Sequence, residues 1–336
     1  MKAPFSILFA LSGLLLLNGC PGGGDGPGGN ITLGGSGASN IVYVANQTSN
    51  DVSAYTINAT TGALTAVAGG AVAAGTTPSA VTVSPNGAFA YVTNSGSNNV
   101  SAYTINATTG ALTAVAGGAV AAGTTPSAVT VSPNGAFAYV TNSGSNNVSA
   151  YTINATTGAL TAVAGGAVAA GTTPSAAVVS PNGAFLFVAN QGSSNISVYT
   201  IDSGTGAVTA LLGGTGNPFA AGTTPVGITI TPNGTFVHVA NSGSNNVSAF
   251  SVNTGTGALT ALAGGIGNPF AAGTTPAGIT LTPNASFVYV ANGGSNNVSA
   301  YTLDSGTGVL TALAGGTGNP FAAGTVPSGI ATPGRP

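Results

Sequence analysis

The sequence predicts an all-β fold, a β-propeller of four-stranded antiparallel blades. Beyond residue 40 the chain repeats itself with a period of 48 to 51 residues. Each repeat contains four short apolar segments, and turn residues separate them. Repeats of about 40 to 50 residues are typical of propeller blades, each of which is a small four-stranded sheet.

A ring-bearing side chain marks the same position in every repeat. The spacings between these markers are 48, 48, 48, 51 and 51. Residues 52–99 recur without a change at 100–147. The three additional residues of the longer repeats come from Gly-Asn-Pro-Phe-Ala-Ala segments at 216–221, 267–272 and 318–323. Six markers predict six blades, and seven blades are the alternative. The markers are Tyr43, Tyr91, Tyr139, Phe187, His238 and Tyr289.

The second repeat shows the four predicted strands and their turns. The strands are 80–84, 88–94, 99–105 and 111–115. Between the first two, Pro85 has the φ angle that a type I turn requires, and Gly87 follows it. A parallel β-solenoid is the alternative for a polar tandem repeat. Its coils are shorter, and it needs no Pro-Asn-Gly turn in every unit, so the propeller is favoured.

The first 40 residues are predicted to be an export signal and a tether. Lys2 precedes an apolar run at 5–17, which is too short to span a bilayer as a helix. Residues 17–20, Leu-Asn-Gly-Cys, resemble the bacterial lipobox, in which the Cys is acylated and becomes the mature N-terminus. An ordinary cleaved signal with an incidental Cys is the alternative. The predicted segments are a signal peptide at 1–19, lipidated Cys20 with a glycine-rich tether at 20–40, and a propeller at 41–336.

This interpretation predicts where the protein is located and that it associates with a membrane. The lipid on Cys20 would anchor it to a membrane of the bacterial cell envelope, the outer membrane, on the periplasmic or the surface side.

Charged residues are nearly absent, and this excludes several classes of function. Lys and Arg together number 2, and Asp and Glu together number 4, among 336 residues. Nucleic-acid binding is excluded, because it needs cations that neutralise phosphates. A single Cys excludes a disulfide framework and a Cys-based metal cluster. We expect no cofactor, no metal site and a monomer.

The repeats resemble a known family. Residues 91–94 and 139–142 spell Tyr-Val-Thr-Asn, and Ser-Asn-Asn-Val-Ser-Ala-Tyr-Thr-Ile follows each copy. This pattern is similar to the YVTN repeat of lactonase-like propellers, which include 6-phosphogluconolactonase-type proteins. The resemblance covers nearly all of the chain beyond residue 40. It implies a propeller, usually of seven blades, and hydrolysis of a lactone.

The ionisable residues do not suit that activity. Lactone hydrolysis needs a base that activates water and donors that stabilise an oxyanion, and a phosphorylated substrate also needs cations. The propeller segment contains only Asp51, Asp202, Asp304, His238 and Arg335 as candidates. We therefore predict no catalytic residue and a binding or scaffold module whose ligand is unknown. A lactonase-like hydrolase is the alternative, and a surface adhesin with a variable number of repeats is a third reading.

The few reactive residues have structural explanations. His238 stands where other repeats have Tyr or Phe, so it is predicted to be a packed aromatic substitute. Asp202 and Asp304 open turns in which other repeats have Asn, and they are predicted to form Asx turns rather than a calcium site. With so few titratable groups, the melting temperature should be nearly constant between about pH 5 and 9.

One rim of the propeller is the predicted binding surface. The loops between strands two and three share this rim with the loops that lead to the next blade. An uncharged rim of amides and aromatic rings would suit a glycan or an envelope protein. The candidate residues are Asn94, Asn142, Asn190, Asn241, Asn292, Phe219, Phe270 and Phe321.

Two segments compete for the innermost strand of the first blade. Residues 327–333 repeat the Pro-Ala-Gly-Ile-Thr-Leu-Thr-Pro pattern of 276–283 with one residue fewer. Residues 30–33 repeat only its Ile-Thr-Leu core. We expect the C-terminal segment to fill this place, because the Ala-Ala-Gly-Thr loop that precedes each inner strand also precedes it.

The lipid anchor can be tested at its attachment site. Cys20→Ser should abolish labelling with palmitate and move the protein out of the membrane fraction, because the acylated sulfur is lost. Metabolic labelling and fractionation measure both effects. Labelling that persists in the variant would contradict the prediction.

Overall fold

The computed structural model describes residues 15–18, 31–33, 41–211, 217–262, 268–313 and 319–331. All regular elements in these ranges are β-strands, which confirms the predicted all-β propeller. No helix with the length and apolarity of a membrane span occurs among them. Lys2, the predicted lipid-attachment residue Cys20 and Arg335 lie outside the described residues.

The described residues form six five-stranded sheets, which are six blades, and one separate two-stranded sheet. The two-stranded sheet contains β1 (Leu15–Asn18) and β32 (Pro327–Ala331). Blade 1 contains β2 (Ile31–Leu33), β3 (Ile41–Asn46), β4 (Asp51–Ile57), β5 (Leu64–Ala66) and β6 (Val72–Ala73). Blade 2 contains β7 (Pro78–Val83), β8 (Phe89–Asn94), β9 (Asn99–Ile105), β10 (Leu112–Ala114) and β11 (Val120–Ala121). Blade 3 contains β12 (Pro126–Val131), β13 (Phe137–Asn142), β14 (Asn147–Ile153), β15 (Leu160–Ala162) and β16 (Val168–Ala169).

The remaining three blades repeat this order. Blade 4 contains β17 (Pro174–Val179), β18 (Phe185–Asn190), β19 (Asn195–Ile201), β20 (Val208–Ala210) and β21 (Phe219–Ala220). Blade 5 contains β22 (Pro225–Ile230), β23 (Phe236–Asn241), β24 (Asn246–Val252), β25 (Leu259–Ala261) and β26 (Phe270–Ala271). Blade 6 contains β27 (Pro276–Leu281), β28 (Phe287–Asn292), β29 (Asn297–Leu303), β30 (Leu310–Ala312) and β31 (Phe321–Ala322).

The outer edge of each blade is a divided strand. In blade 2, β10 pairs with the end of β9 at Tyr103–Ile105, and β11 pairs with its beginning at Asn99 and Val100. A loop at 115–119 separates the two pieces. The four strands predicted for this repeat are present, with bounds that differ by at most two residues. The fifth strand was not predicted, because two residues are too few to show an alternating pattern.

The hydrophobic core lies between the blades. The second strand of blade 2, β8, is buried along its whole length. One core cluster joins Phe89 and Tyr91 of blade 2 to Val140 and Tyr151 of blade 3. A single sheet cannot cover both of its own faces, so each blade depends on its neighbours for burial.

In blade 2 an aromatic pair on the second strand joins this blade to the next. The hydroxyl of Tyr91 donates a hydrogen bond to the carbonyl of Gly158 in blade 3, at 3.1 Å. Phe89, two residues earlier on the same face, packs directly against the Cα of Gly158. Gly158 has a φ of +74°, so a residue without a Cβ suits both its conformation and its contact. Equivalent bonds are Tyr43 to Gly110, Tyr139 to Gly206 and His238 to Gly308.

The N-terminal segment, not the C-terminal one, completes blade 1, so the expected closure is wrong. Thr32 of β2 lies opposite Tyr43, just as Thr82 lies opposite Tyr91 in blade 2. The Ile-Thr-Leu core therefore reproduces the register of every other inner strand. β32 instead pairs with β1, whose residues 15–18 belong to the predicted signal peptide. β32 packs between blades 6 and 1 and so lies at the junction of the ring.

The clamp between blades can be tested at Gly158. In Gly158→Ala the new Cβ would clash with the ring of Phe89, and the positive φ adds strain. We expect the free energy of unfolding to fall by about 2–4 kcal/mol. Gly166→Ala is the matched control, because its φ is +76° and nothing lies within 4 Å of the new Cβ. It should lose about 1 kcal/mol. Equal losses in urea unfolding would show that the contact with Phe89 contributes nothing.

Candidate functional site

The inner strands surround a central channel, which is the candidate functional site. It contains a cavity of about 150 Å³. One arc of the wall carries serine side chains, and the remainder is aliphatic or glycine. The wall consists of Ser79, Ser127, Ala128, Val129, Ser175, Ala176, Ala177, Val226, Gly227, Ile228, Ala277, Gly278, Ile279, Ser328, Gly329 and Ile330. None of these side chains is ionisable.

Three of the channel serines are hydrogen-bonded between blades. Ser79, Ser127 and Ser175 each donate to the proline carbonyl of the next inner strand, at 2.7, 2.7 and 2.9 Å. Because these hydroxyl protons are engaged, the serines offer mainly lone pairs to a ligand. Ser328 differs, since it is half-buried and its hydroxyl has no partner among the described residues.

These serines were not recognised as site residues from the sequence. A signal was present, because Ser79 and Ser127 follow Thr-Pro in identical repeats, whereas two of the three longer repeats have Val226 and Ala277 at this position. Only the ring arrangement shows that these positions converge on one channel.

His238 is an interior residue, as predicted. It is fully buried on β23, and Nε2 donates to the carbonyl of Gly308 at 2.9 Å. Nδ1 has no partner among the described residues. Burial lowers the pKa of His238 to about 4, while the bond to Gly308 opposes that shift. A ring with no access to a ligand cannot serve as a general base.

The tyrosines that share this position also remain neutral. Burial raises the pKa of Tyr43, Tyr91 and Tyr139 well above the ordinary value for a phenol. Tyr199 on a third strand shows the same effect, with a pKa of about 12. Their hydroxyls donate to backbone carbonyls of adjacent blades and take no part in the channel.

The predicted Asx turns are present at Asp202 and Asp304. Oδ1 of Asp202 accepts the backbone N–H groups of Thr205 at 2.8 Å and Gly204 at 3.0 Å. Hydrogen bonds from Thr205 and then Gly204 lower the pKa of Asp202, and those from Gly306 and Thr307 do the same for Asp304. Both carboxylates are exposed turn residues, and neither lines the channel.

Asp51 also lies away from the channel, in the hairpin loop of blade 1. Its Oδ1 accepts hydrogen bonds from Asn46 at 2.7 Å and Ser49 at 3.0 Å. The carboxylate therefore takes the place that Asn99 holds in blade 2. No cluster of three metal-ligating residues occurs among the described residues.

The five candidate asparagines do not form an accessible rim, because they are fully buried at the ends of the second strands. Asn94 donates to Asn99 at 2.8 Å and to Ser101 at 3.0 Å. Its oxygen accepts the N–H of Gly75 from the preceding linker, at 3.0 Å. The side chain thus ties the linker to the hairpin. Asn142, Asn190, Asn241 and Asn292 make the same bonds within their hairpins.

The candidate phenylalanines belong to the outer edge of the blades. Phe219 and Phe270 are buried in the clusters between blades, and Phe321 is half-buried and packs against such a cluster. Each begins a short fifth strand that pairs with a third strand. The expected rim of amides and aromatic rings is therefore not what these residues build.

The comparison with protein families agrees with the propeller fold. The profile of the family described as Lactonase, 7-bladed beta-propeller matches residues 71–215, 166–270 and 215–320. The chain belongs to this family. Where the family description has seven blades, this member has six five-stranded sheets and the two-stranded sheet of β1 and β32.

Solved structures share the fold at low sequence identity. A proposed 6-phosphogluconolactonase from Bacteroides uniformis is 19% identical, covers 96% of this chain and 99% of its own, and has a TM-score of 0.77. The periplasmic gluconolactonase of Pseudomonas aeruginosa is 19% identical, with coverages of 92% and 88% and a TM-score of 0.71. A protein from Lactobacillus plantarum is 23% identical, with coverages of 90% and 87% and a TM-score of 0.72. The search of curated proteins gave no match.

The buried imidazole of this lactonase-family member predicts a pH dependence of stability. The unfolded chain binds a proton at His238 near pH 6.5, whereas the folded chain does so only near pH 4. The free energy of unfolding should therefore decline by roughly 3 kcal/mol in total as the pH falls through this window. This corrects the expectation of a constant melting temperature down to pH 5.

His238→Phe tests this explanation, because Phe187 occupies the same position in blade 4. Melting curves of the variant should be flat between about pH 6.5 and 5, where the unmodified protein already loses stability. Below about pH 5 the exposed Asp202 and Asp304 add a decline of their own, because their pKa values are lower in the folded chain than in the unfolded one. An unchanged decline in the variant would assign it to another group.

Proposed function

We propose that this protein binds a neutral lactone in the central channel and hydrolyses it. The observation that carries the proposal is the family match across residues 71–320, which favours the hydrolase reading over the scaffold reading. The channel limits the substrate, because the described residues of its wall offer hydroxyls, backbone groups and aliphatic side chains but no charge. An uncharged sugar lactone, with hydroxyls and an apolar ring face, matches this wall.

The same wall argues against a phosphorylated lactone. A phosphate needs cationic or helix N-terminal partners when it leaves water. The described residues contain neither Lys nor Arg, and the two cations of the chain, Lys2 and Arg335, lie outside them. The substrate in the name of the B. uniformis relative is therefore not proposed for this chain.

The proposed catalysis is modest and independent of pH. No ionisable side chain lines the channel among the described residues, so a general base is not part of the proposal. Hydrogen bonding to the developing oxyanion remains, and a single such donor contributes about 10²–10³ in rate. Ser328 is the proposed donor, because its hydroxyl is unengaged among the described residues. The ratio of catalysed to uncatalysed rates should then be constant between about pH 5 and 9.

The location remains a proposal as well. The lipobox-like residues 17–20 and the glycine-rich segment that follows support export and anchoring through Cys20. Cleavage before Cys20 would remove β1, so β32 would lack this pairing partner in the mature protein. The periplasmic location in the name of the P. aeruginosa relative is consistent with an envelope protein.

A channel-blocking variant tests the activity. Ala277→Phe places a ring in the channel, and Ala162→Phe on the exposed β15 is the matched control. The unmodified protein and the control should hydrolyse a neutral δ-lactone above background, and Ala277→Phe should reduce the excess rate at least tenfold. Ser328→Ala should lower the rate without changing the melting temperature.

Three outcomes would contradict the proposal. A preference for the phosphorylated lactone would place cations at the site. Full activity of Ala277→Phe would move the reaction away from the channel. Saturable lactone binding without turnover would return the protein to the class of binding modules.

A further inference from the structure

A second cavity lies at the outer edge of the propeller, between blades 1 and 2. It has a volume of about 240 Å³ and opens where the outer strand of blade 2 is divided. Its walls include Gly75 of the linker, Ala102 and Tyr103 of β9, and Val115 beside the division. It is separate from the central channel and shares no lining residue with it.

In the three longer repeats an asparagine side chain fills the corresponding place. Oδ1 of Asn217 accepts the backbone N–H of Val198 at 2.9 Å. Its Nδ2 donates to the carbonyls of Val198 and Leu211, both at 3.1 Å. Asn268 and Asn319 make the same three bonds in blades 5 and 6. The carboxamide thus replaces one peptide unit of the interrupted outer strand.

The shorter repeats keep the backbone groups and lack the asparagine. The carbonyl of Ala102 accepts the N–H of Val115 at 2.9 Å, as the carbonyl of Val198 accepts that of Leu211. In an antiparallel ladder the N–H of a residue points to the same side as its carbonyl, so the N–H of Ala102 also faces the cavity. Among the described residues no side chain takes the place of the asparagine oxygen at this N–H.

The exposure of the residue at the position of Ala102 also differs between the shorter and the longer repeats. Ala102 and Ala150 are each 7% exposed, whereas Ala249 and Ala300, beneath their asparagines, are 0% exposed. The gap at Ala102 is therefore open to a group from outside.

We propose that this cavity binds a primary carboxamide, which comes from an Asn or Gln side chain of a partner peptide or from a small free amide. The wall presents the N–H of Ala102 as a donor and the carbonyls of Ala102 and Val115 as acceptors, which are the groups equivalent to those that bind Asn217 in blade 4. A carboxamide matches both, because it carries an accepting oxygen and a donating NH₂ group. A carboxylate or an ester cannot donate to the carbonyls, and an ammonium group cannot accept from the N–H.

The direct test is an NMR titration of protein labelled with ¹⁵N-alanine. Acetamide should shift the amide resonance of Ala102 in a saturable manner, with a dissociation constant on the order of millimolar for so small a ligand. Acetate and methyl acetate are the matched probes and should give no saturable shift. A short peptide containing Gln is the second arm. Tighter binding of the peptide would identify a protein partner, and binding of acetamide alone would identify a free amide.

A loop graft confirms the place of binding. Replacement of Ala119-Val120 by the Thr-Gly-Asn-Pro-Phe sequence found at 215–219 should fill the cavity internally and remove the acetamide shift at Ala102. The same graft with Ala in the Asn position should retain the shift. Equal shifts with acetate, no shift with any probe, or a shift that survives the first graft would each overturn the proposal.

A second variant keeps the test independent of the graft. Asn268→Ala empties the equivalent place in blade 5 and should lower the melting temperature. Acetamide should restore part of that loss, and acetate should not. Failure of acetamide to restore stability would show that the place does not select a carboxamide. Loss of lactone hydrolysis is not a readout here, so the outcome is independent of the proposed function.

Discussion

Coverage of each blade by the next is the constraint on which the structure depends. The second strands are buried on both faces, and no single sheet could satisfy this alone. The contact of Phe89 and Tyr91 with Gly158 meets the need twice, by apolar packing and by a hydrogen bond. Close contacts of the same kind recur at Gly110, Gly206, Gly257 and Gly308, so equivalent positions hold neighbouring blades together around the ring.

Hydrogen bonds between uncharged polar groups connect the loops and strands of this protein, where many proteins use ion pairs. Asn94 bonds a linker to a hairpin, and Ser127 bonds one inner strand to the next. Asn217 bonds the backbone groups left unpaired where the outer strand of blade 4 is divided. Each bond is short range and directional, and none depends on salt or on a titrating group. The polar contacts between blades are thus made by amides and hydroxyls, and the described wall of the channel is also uncharged. A lactonase fold with such a wall is suited to uncharged ligands.

The sequence predicted the blades well because their determinants are local. Alternating apolar residues and turns such as Ser84-Pro85-Asn86-Gly87 lie within one repeat. The roles of Asn94 and Phe219 could not be predicted in the same way, because an amide at a strand end and a ring in a loop look exposed until neighbouring blades cover them. The completion of blade 1 by β2 could not be predicted, because it rests on the pairing of Thr32 with Tyr43 rather than on the flanking residues. The channel serines could not be predicted either, because they come together only when the blades form the ring.

The identity of residues 52–99 and 100–147 has a genetic consequence. Two such stretches in one gene are substrates for unequal recombination, which can add or remove one unit in frame. Every junction between neighbours would keep the same residues after such an event, since the contacts join equivalent positions. A change in the number of blades would then have to be accommodated at one place, the junction between blades 6 and 1 where β32 packs. Selection on the number of repeats would act on the closure of the ring at that junction.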